Sequence, residues 1–280
     1  MPLDTSTYSL ALLRVDGRRW NELRRCHAQV RTQAAADGSS FWEMGNTKVM
    51  CVLTGPSEPG PKRAGTVTAG GGTTGAGNET AAEVVVNIVV AGFSSVDRRR
   101  RGRTDKRTLE LSATVARTLA AVLHTHLYPR SAITFSLHVL SHDGSLLAAL
   151  LNAATLAAVD AGIPMTDYVV ACSAGSTSSD AAADTTDGAD PLLDLNLQEE
   201  QELPSLTVAT LGATDRVAAL VCESRVPVQR LEGMLAVAAD GCKQVRAIVD
   251  RVVREAGLKM AKEANSGADA GNVSSMEIDV

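Results

Sequence analysis

The sequence lacks three features that mark common classes of protein. It has no CxxC pair, and its 5 cysteines are few and odd in number, so neither a zinc site nor a disulfide framework is expected. Aromatic residues make up only 3% of the chain, which argues against an aromatic platform for stacking bases. No stretch reaches about 18 uninterrupted apolar residues, and no basic, apolar leader follows Met1. We therefore expect a soluble intracellular protein with no membrane partner.

Charge is segregated along the chain, although the net charge is only −5. Between Asp97 and Arg107 lie seven cations and two anions, whereas the segment from Asp180 to Glu202 has eight carboxylates and no cation. A basic segment of this kind can contact phosphates, and an acidic one repels them. The segregation permits a nucleic-acid partner despite the acidic total.

The clearest structural pattern spans residues 133–175. Apolar and polar residues alternate over 133–139, which predicts a strand, and residues 146–161 are apolar on nearly every face, which predicts a buried helix. Ser145 is expected to cap this helix, and Gly162 to end it in the left-handed conformation. A return strand is predicted over 168–172.

The remaining elements surround this unit in one predicted domain, residues 1–258. Strands are expected at 24–34, 39–43, 47–53, 83–91, 192–195, 206–211 and 217–223, and helices at 107–126 and 228–256. Residues 57–80 are rich in Gly and Thr and predict a mobile loop, whose GxGxxG at 70–75 precedes a strand and so does not indicate a dinucleotide site. A disordered tail is predicted for 259–280.

Several motifs in this order resemble the RNase PH family. They are Asp16-Gly-Arg, Glu43-Met-Gly-Asn-Thr, Gly55-Pro, His138-Val-Leu-Ser-His-Asp-Gly-Ser, Asn152-Ala-Ala-Thr-Leu-Ala-Ala-Val-Asp-Ala-Gly-Ile-Pro-Met and Cys172-Ser-Ala-Gly. More narrowly, the chain is similar to eukaryotic RNA exosome ring subunits related to the catalytic ring subunit of the archaeal exosome. The resemblance implies an α/β (α+β) RNase PH-like fold, with mixed β-sheets packed with long buried helices.

The resemblance also implies a reaction, in which inorganic phosphate attacks the 3′-terminal phosphodiester of RNA and releases a nucleoside diphosphate. Active relatives hold phosphate with Asp-Gly-Gly-Thr-Arg-Thr-Ala, where this chain has Ser145 followed by Leu146 and Leu147 in place of Thr and Arg. Their carboxylate pair, Asp-x-x-x-x-x-Asp, is matched by Asp194 and Glu200. Loss of the guanidinium removes a charge-assisted clamp on phosphate.

Three departures in one site lead us to expect no enzymatic activity, no metal and no cofactor, and to regard these five positions as vestigial. The alternative is an active phosphate-dependent 3′-to-5′ exoribonuclease that uses Mg²⁺ and inorganic phosphate. Distinguishing the two requires a functional test.

The RNA-backbone contacts of the family are better preserved. Active relatives carry Ser-Arg-Arg-Glu-Ile-Glu-Leu before the first long helix, and this chain has Asp105-Lys-Arg-Thr-Leu-Glu-Leu. The predicted RNA-binding residues are Lys62, Arg63, Arg98, Arg99, Arg100, Arg101, Lys106 and Arg107. A solvated basic loop or a localisation signal is the alternative for this segment.

The expected function is thus that of a non-catalytic exosome ring subunit that scaffolds the ring and threads single-stranded RNA to a nuclease. The implied partners are other RNase PH-like ring subunits, S1/KH cap subunits and a hydrolytic 3′-to-5′ exoribonuclease, in the nucleus, nucleolus and cytoplasm. A free-standing RNA-binding protein is a third possibility.

Overall fold

The computed structural model describes residues 13–58, 67–69, 81–95, 98, 105–177, 190–212, 214 and 216–273, the last eleven as backbone only. Within these residues the chain forms two β-sheets, with one long buried helix between them. No described helix is both long and apolar enough to cross a membrane.

The larger sheet has six strands in the order β1-β2-β3-β6-β5-β4. Its strands are β1 (Cys26–Val30), β2 (Gly38–Met44), β3 (Thr47–Ser57), β4 (Val67–Ala69), β5 (Glu83–Val90) and β6 (Ala132–Ser141). All neighbours are antiparallel except β5 and β6, which run parallel from Glu83↔Ala132 to Val90↔Val139. Helix α1 (Lys106–Val122) and the 3₁₀ turn Thr125–Leu127 connect this parallel pair.

The smaller sheet is fully antiparallel, in the order β10-β9-β7-β8. Its strands are β7 (Val169–Ser176), β8 (Pro191–Leu193), β9 (Ser205–Leu211) and β10 (Val217–Cys222). Helix α2 (Leu146–Asp160) precedes β7, the short α3 (Leu197–Glu202) separates β8 from β9, and the long α4 (Val228–Val273) follows β10.

Helix α2 is the centre of the core because it packs against β2 and β3 on one side and β7 on the other. Its polar residues satisfy backbone groups of β7. Asn152 donates to the carbonyl of Ala171 (3.0 Å) and accepts from its N–H (2.8 Å), and Thr155 donates to the carbonyl of Val169 (2.8 Å). Both sheets therefore share one hydrophobic core.

The predicted elements are largely present, with three differences. Helix α1 ends at Val122, four residues before its predicted end, because the backbone becomes extended at Leu123. Within the predicted loop, residues 67–69 form β4 and pair with β5; residues 59–66 and 70–80 lie outside the described part of the chain. Helix α4 continues to Val273, so the predicted tail begins inside a helix, in a stretch rich in the strong helix formers Ala, Lys and Glu.

The two predicted ends of α2 have different outcomes. Gly162 has the left-handed conformation expected of it, with φ +69°. The capping prediction for Ser145 is wrong, because its side chain makes no capping hydrogen bond and its own backbone is left-handed. Its hydroxyl points instead into the junction described below.

Candidate functional site

Three loops meet at the N-terminal end of α2: the β2–β3 turn, the β6–α2 turn (residues 142–145) and the β8–α3 loop (residues 194–196). Thr47 joins the first two, since its hydroxyl donates to the carbonyl of Gly144 (2.8 Å) and accepts from the N–H of Asp143 (3.1 Å). Gly144 has φ +79°, and a Cβ there would lie 2.6 Å from the carbonyl oxygen of Leu195. Only glycine permits this approach of the second loop to the third.

Asp194 is enclosed at the centre of this junction, with a side chain that is 0% exposed. Arg24 holds both of its carboxylate oxygens: Nε donates to Oδ2 (2.9 Å) and Nη2 to Oδ1 (2.8 Å), while the Arg24 backbone N–H also donates to Oδ2 (2.9 Å). Burial alone would raise the pKa of Asp194, but the charge and hydrogen bonds of Arg24 lower it below its ordinary value. Asp194 is therefore held as a carboxylate.

Two further arginines from the segment before β1 fix the backbone around Asp194. Arg14 is buried, donates to the carbonyl of Asp194 (2.9 Å) and forms an ion pair with the buried Glu199. Arg18 donates to the same carbonyl (3.1 Å) and to Oδ1 of Asn196 (3.1 Å). The 14–24 segment thus holds the β8–α3 loop in place.

Ser145 and Asp194 touch, and both have strained backbones. Each has φ +53°, a conformation that costs a non-glycine residue about 1–3 kcal/mol. The Ser145 hydroxyl donates to Oδ1 of Asp194 (3.1 Å) and also contacts the Leu195 carbonyl (3.0 Å) and the Ser173 hydroxyl. Strain of this kind persists only where the surrounding structure fixes it, and it clusters at functional sites.

Glu200 lies on α3 at the edge of the junction. Its Oε2 accepts the backbone N–H of Ser145 at 3.0 Å. Burial raises the pKa of Glu200 above its ordinary value; the Ser145 N–H and the charges of Arg107 and Arg24 act in the opposite direction and only partly offset this, while Glu223 adds to it. The pKa values of Asp194 and Glu200 are thus shifted in opposite directions.

The other predicted site residues are only partly brought together. Leu146 and Leu147 form the first turn of α2, and each is 7% exposed within the hydrophobic core. Lys106 and Arg107 are exposed at the start of α1, where Arg107 is close enough to influence Glu200. Arg98 is exposed with φ +47°. Lys62, Arg63, Arg99, Arg100 and Arg101 lie outside the described residues, so the RNA path remains a prediction.

A magnesium site at Asp194 and Glu200 does not fit this geometry. Both oxygens of Asp194 accept hydrogen bonds from Arg24, and the carboxylate is enclosed. In the described part of the chain no group of three or more His, Cys, Asp or Glu residues could hold a metal ion.

Sequence reasoning missed Arg14 and Arg24, and it used Arg18 only as part of a motif. The available signal was weak, because each arginine pairs with residues about 170 to 185 positions away. A buried position for two arginines in a polar segment could not be inferred from local periodicity.

Comparison with known proteins gives consistent matches over most of the chain. Residues 22–164 match RNase_PH, the 3′ exoribonuclease family domain 1, and residues 167–241 match RNase_PH_C, domain 2 of the same family. The exosome complex component SKI6 of Saccharomyces cerevisiae is 34% identical over 92% of this chain and 97% of its own. The exosome complex component RRP41 of Homo sapiens is 38% identical over 86% of this chain and 91% of its own.

Solved structures show the same fold. Rrp46 of rice (Oryza sativa) superposes with a TM-score of 0.69 at 24% identity, covering 86% of this chain and 100% of that one. The Archaeoglobus fulgidus exosome with RNA bound to the active site gives a TM-score of 0.66 at 19% identity, covering 87% of this chain and 95% of that one.

These matches overturn one prediction. The expectation that the chain is not an enzyme is wrong, because both of its halves match the domains of a 3′ exoribonuclease family and its relatives are exosome components of the RRP41 and SKI6 type.

Proposed function

The chain belongs to the RNase PH family of 3′ exoribonucleases, and from that premise we propose that it is an RNA exosome ring subunit that shortens RNA from the 3′ end by phosphorolysis. In this reaction inorganic phosphate attacks the terminal phosphodiester. The products are a nucleoside diphosphate and an RNA shortened by one nucleotide.

One observation carries the proposal: the strained contact between Ser145 and Asp194 at the N-terminal end of α2. Two left-handed non-glycine residues that hydrogen-bond to each other are costly to keep in a purely structural loop. The backbone N–H of Ser145, in the β6–α2 turn, donates to Oε2 of Glu200, which therefore lies beside the helix terminus. A helix N-terminus favours an anionic group, as phosphate chemistry requires.

The first turn of α2 indicates that this activity binds inorganic phosphate weakly. Leu146 and Leu147 offer apolar side chains where active relatives offer a hydroxyl and a guanidinium. Phosphate would be held by backbone groups and neighbouring cations alone, so its binding is weak and its KM high. The reaction is then limited by phosphate concentration.

The RNA strand is proposed to reach this site past the start of α1. Lys106 and Arg107 are exposed there, and Arg107 is near Glu200. Side chains of this type contact the phosphate backbone without reading sequence. The remaining predicted cations, Lys62, Arg63 and Arg98 to Arg101, would extend the same path.

The assembly is also part of the proposal. We propose that the chain joins other RNase PH-like ring subunits, with S1/KH cap subunits and a hydrolytic 3′-to-5′ exoribonuclease attached, in the nucleus, nucleolus and cytoplasm. Its relatives are described as components of an exosome complex.

Labelled inorganic phosphate tests the reaction. A ring reconstituted with this chain is incubated with single-stranded RNA and labelled phosphate, and the label is expected in the terminal phosphoryl group of nucleoside diphosphates. Saturation should require high phosphate concentration. The same ring without phosphate is the control. Release of nucleoside monophosphates only, or of no nucleotide at all, would contradict phosphorolysis, and a stable monomer under assembly conditions would contradict the ring.

A further inference from the structure

Phe93 is the one exposed residue among the Phe, Trp and Tyr side chains that the structure describes. It is 70% exposed, whereas Trp42 and Phe135 are fully buried and the other described aromatic residues are partly buried. The low aromatic content of the chain argues against a platform of several aromatic side chains, but it leaves room for a contact made by one. Single exposed apolar residues are common on protein surfaces, so the position of Phe93 decides what it can do.

Phe93 lies in the turn of residues 91–95, which follows β5 and is attached to the functional site. The N–H of Ser94 donates to the carbonyl of Ala91 (3.0 Å) and closes the turn. The carbonyl of the buried Ser94 accepts the N–H of His142 (3.1 Å), the first residue of the β6–α2 turn. The 91–95 turn is therefore held against the loop that leads into α2, and the exposed phenyl group of Phe93 lies beside that loop.

The surroundings of Phe93 are polar and positively charged. Its described neighbours in sequence are Ala, Gly and Ser, and Arg98 is exposed close by, with its N–H donating to the carbonyl of Ser95 (3.1 Å). Arg107, exposed at the start of α1, is near enough to Glu200 to affect its pKa. The core of a protein–protein interface is depleted of charged residues, whereas a site for single-stranded RNA combines cations with an aromatic side chain. The chemistry around Phe93 therefore fits RNA.

From this position we infer that Phe93 stacks on a base near the 3′ end of the bound RNA and so helps to hold the terminal phosphodiester at α2. The inference rests on the proposed function, which places the 3′ end of the RNA at the N-terminal end of that helix. Cations contact the backbone phosphates, while the phenyl group contacts the face of one base. Because every base has such a face, the contact holds RNA without selecting its sequence.

Substitution of Phe93 tests this contact in the reconstituted ring. Phe93→Ala is expected to raise the Kd and the KM for single-stranded RNA by about 10-fold, a loss typical of one stacked base, while kcat and the KM for phosphate change little. Phe93→Trp should bind RNA at least as tightly as the wild type. Phe93→Leu should behave like Phe93→Ala, because leucine is apolar but has no aromatic face. Val228→Ala is the matched control, since Val228 is equally exposed (70%) at the start of α4.

RNA molecules that each lack one base separate stacking from a structural effect of the substitution. The set carries a single abasic nucleotide at successive positions from the 3′ end. One of these molecules should bind the wild-type ring about 10-fold more weakly than intact RNA, and this difference should disappear in Phe93→Ala, because the phenyl group and the base act only together. A missing base that weakens binding equally in both proteins at every position would overturn the inference.

The remaining outcomes distinguish this contact from the proposed function and from a protein partner. Nucleoside diphosphate release by the wild-type ring together with unchanged RNA affinity in Phe93→Ala overturns the stacking contact alone. Failure of Phe93→Ala to assemble, with full RNA binding by an assembled Phe93→Leu ring, assigns Phe93 to a subunit interface and also overturns it. A wild-type ring that binds RNA but releases no nucleoside diphosphate overturns the proposed function, and with it the role of Phe93 in holding the phosphodiester.

Discussion

Arg24 uses its whole guanidinium to connect two other parts of the chain. Nε and Nη2 donate to Asp194, and Nη1 donates to the carbonyl of Asp143 in the β6–α2 turn. Breaking a buried ion pair from one side leaves the other charge without compensation, and this typically costs about 3–5 kcal/mol. Arg24 is therefore expected to be among the residues on which the junction most depends.

Arg24→Gln should lower the free energy of unfolding by about 3 kcal/mol or more, because it removes the two-pronged ion pair of the enclosed Asp194 and leaves this carboxylate with the longer ion pair to Arg18 (3.9 Å). Arg25→Gln, at the exposed neighbouring position, should change it by about 0.5 kcal/mol at most. Urea denaturation of both variants measures the difference. Equal effects of the two substitutions would contradict the role of the pair.

The same pair makes stability depend on pH with a defined sign. Because the folded pKa of Asp194 is lowered, its contribution is complete above the unfolded value of about 3.9 and is lost as pH falls toward the folded pKa. The difference in the free energy of unfolding between the wild type and Arg24→Gln should therefore become smaller below about pH 4.

The environments of single residues could be predicted from the sequence less well than the helices and strands. Asp194 and Glu200 could be found by their spacing, but their different environments could not, because these arise from Arg24 and Ser145, residues distant in sequence. The capping prediction for Ser145 failed for a related reason. A serine before a helix usually caps it, but here the hydroxyl is drawn to Asp194 and Leu195.

Among the elements, the turns position the site more than the helices do. Gly45, in the β2–β3 turn, has φ +59°, and a Cβ there would lie 2.7 Å from Cδ of Arg24. Gly144, in the β6–α2 turn, approaches the backbone of residues 195–197 equally closely. Both glycines leave room for groups from other loops.

Gly144→Ala and Gly162→Ala form a matched pair of tests. Their φ values are similar, at +79° and +69°, but a Cβ at Gly144 meets backbone atoms at 2.6–2.7 Å, whereas a Cβ at Gly162 meets nothing within 4 Å. Gly162→Ala should cost about 1–2 kcal/mol from backbone strain alone. Gly144→Ala should cost roughly twice as much or more, because the β8–α3 loop must also move.

Thermal or urea denaturation of each glycine variant gives the comparison. Gly144→Ala should also reduce nucleoside diphosphate release, whereas Gly162→Ala, at the far end of α2, should leave it intact. Similar losses of stability for both variants would contradict the close approach at Gly144.

Elements with a strong period were predictable. The alternation around β6 and the nearly uniform apolar character of α2 both gave the correct element type, because each reflects burial that the pattern itself encodes. The ends of α1 and α4 were not, since helix ends depend on tertiary contacts and weak propensities. Strand β4 was missed because three residues are too few for a period.

For the whole molecule, the separation of positive and negative segments remains the main indication of an RNA path. Lys106 and Arg107 are exposed at the start of α1, the helix that connects the parallel strands β5 and β6. These exposed cations can attract the RNA backbone, although the nearby Glu200 belongs to the acidic segment.

Lys106→Glu combined with Arg107→Glu should weaken RNA binding by the ring and reduce the salt dependence of that binding, since fewer counterions are released. Assembly of the ring should be unaffected. The control is Arg251→Glu combined with Arg254→Glu, which reverses two exposed cations on α4. RNA binding measured over a range of salt concentrations provides the test. An unchanged salt dependence in the Lys106 and Arg107 variant would contradict the proposed path.

The connections made by Arg24 also have a consequence for the order of folding. They join residues 119 and 170 positions apart in sequence. Contacts of such long range are expected to form late in folding, because the chain must lose the entropy of a long loop before the contact can stabilise it. Interactions that are absent from the folding transition state govern the unfolding rate. The guanidinium of Arg24 should therefore determine how long the folded chain persists, while having little influence on how quickly it folds.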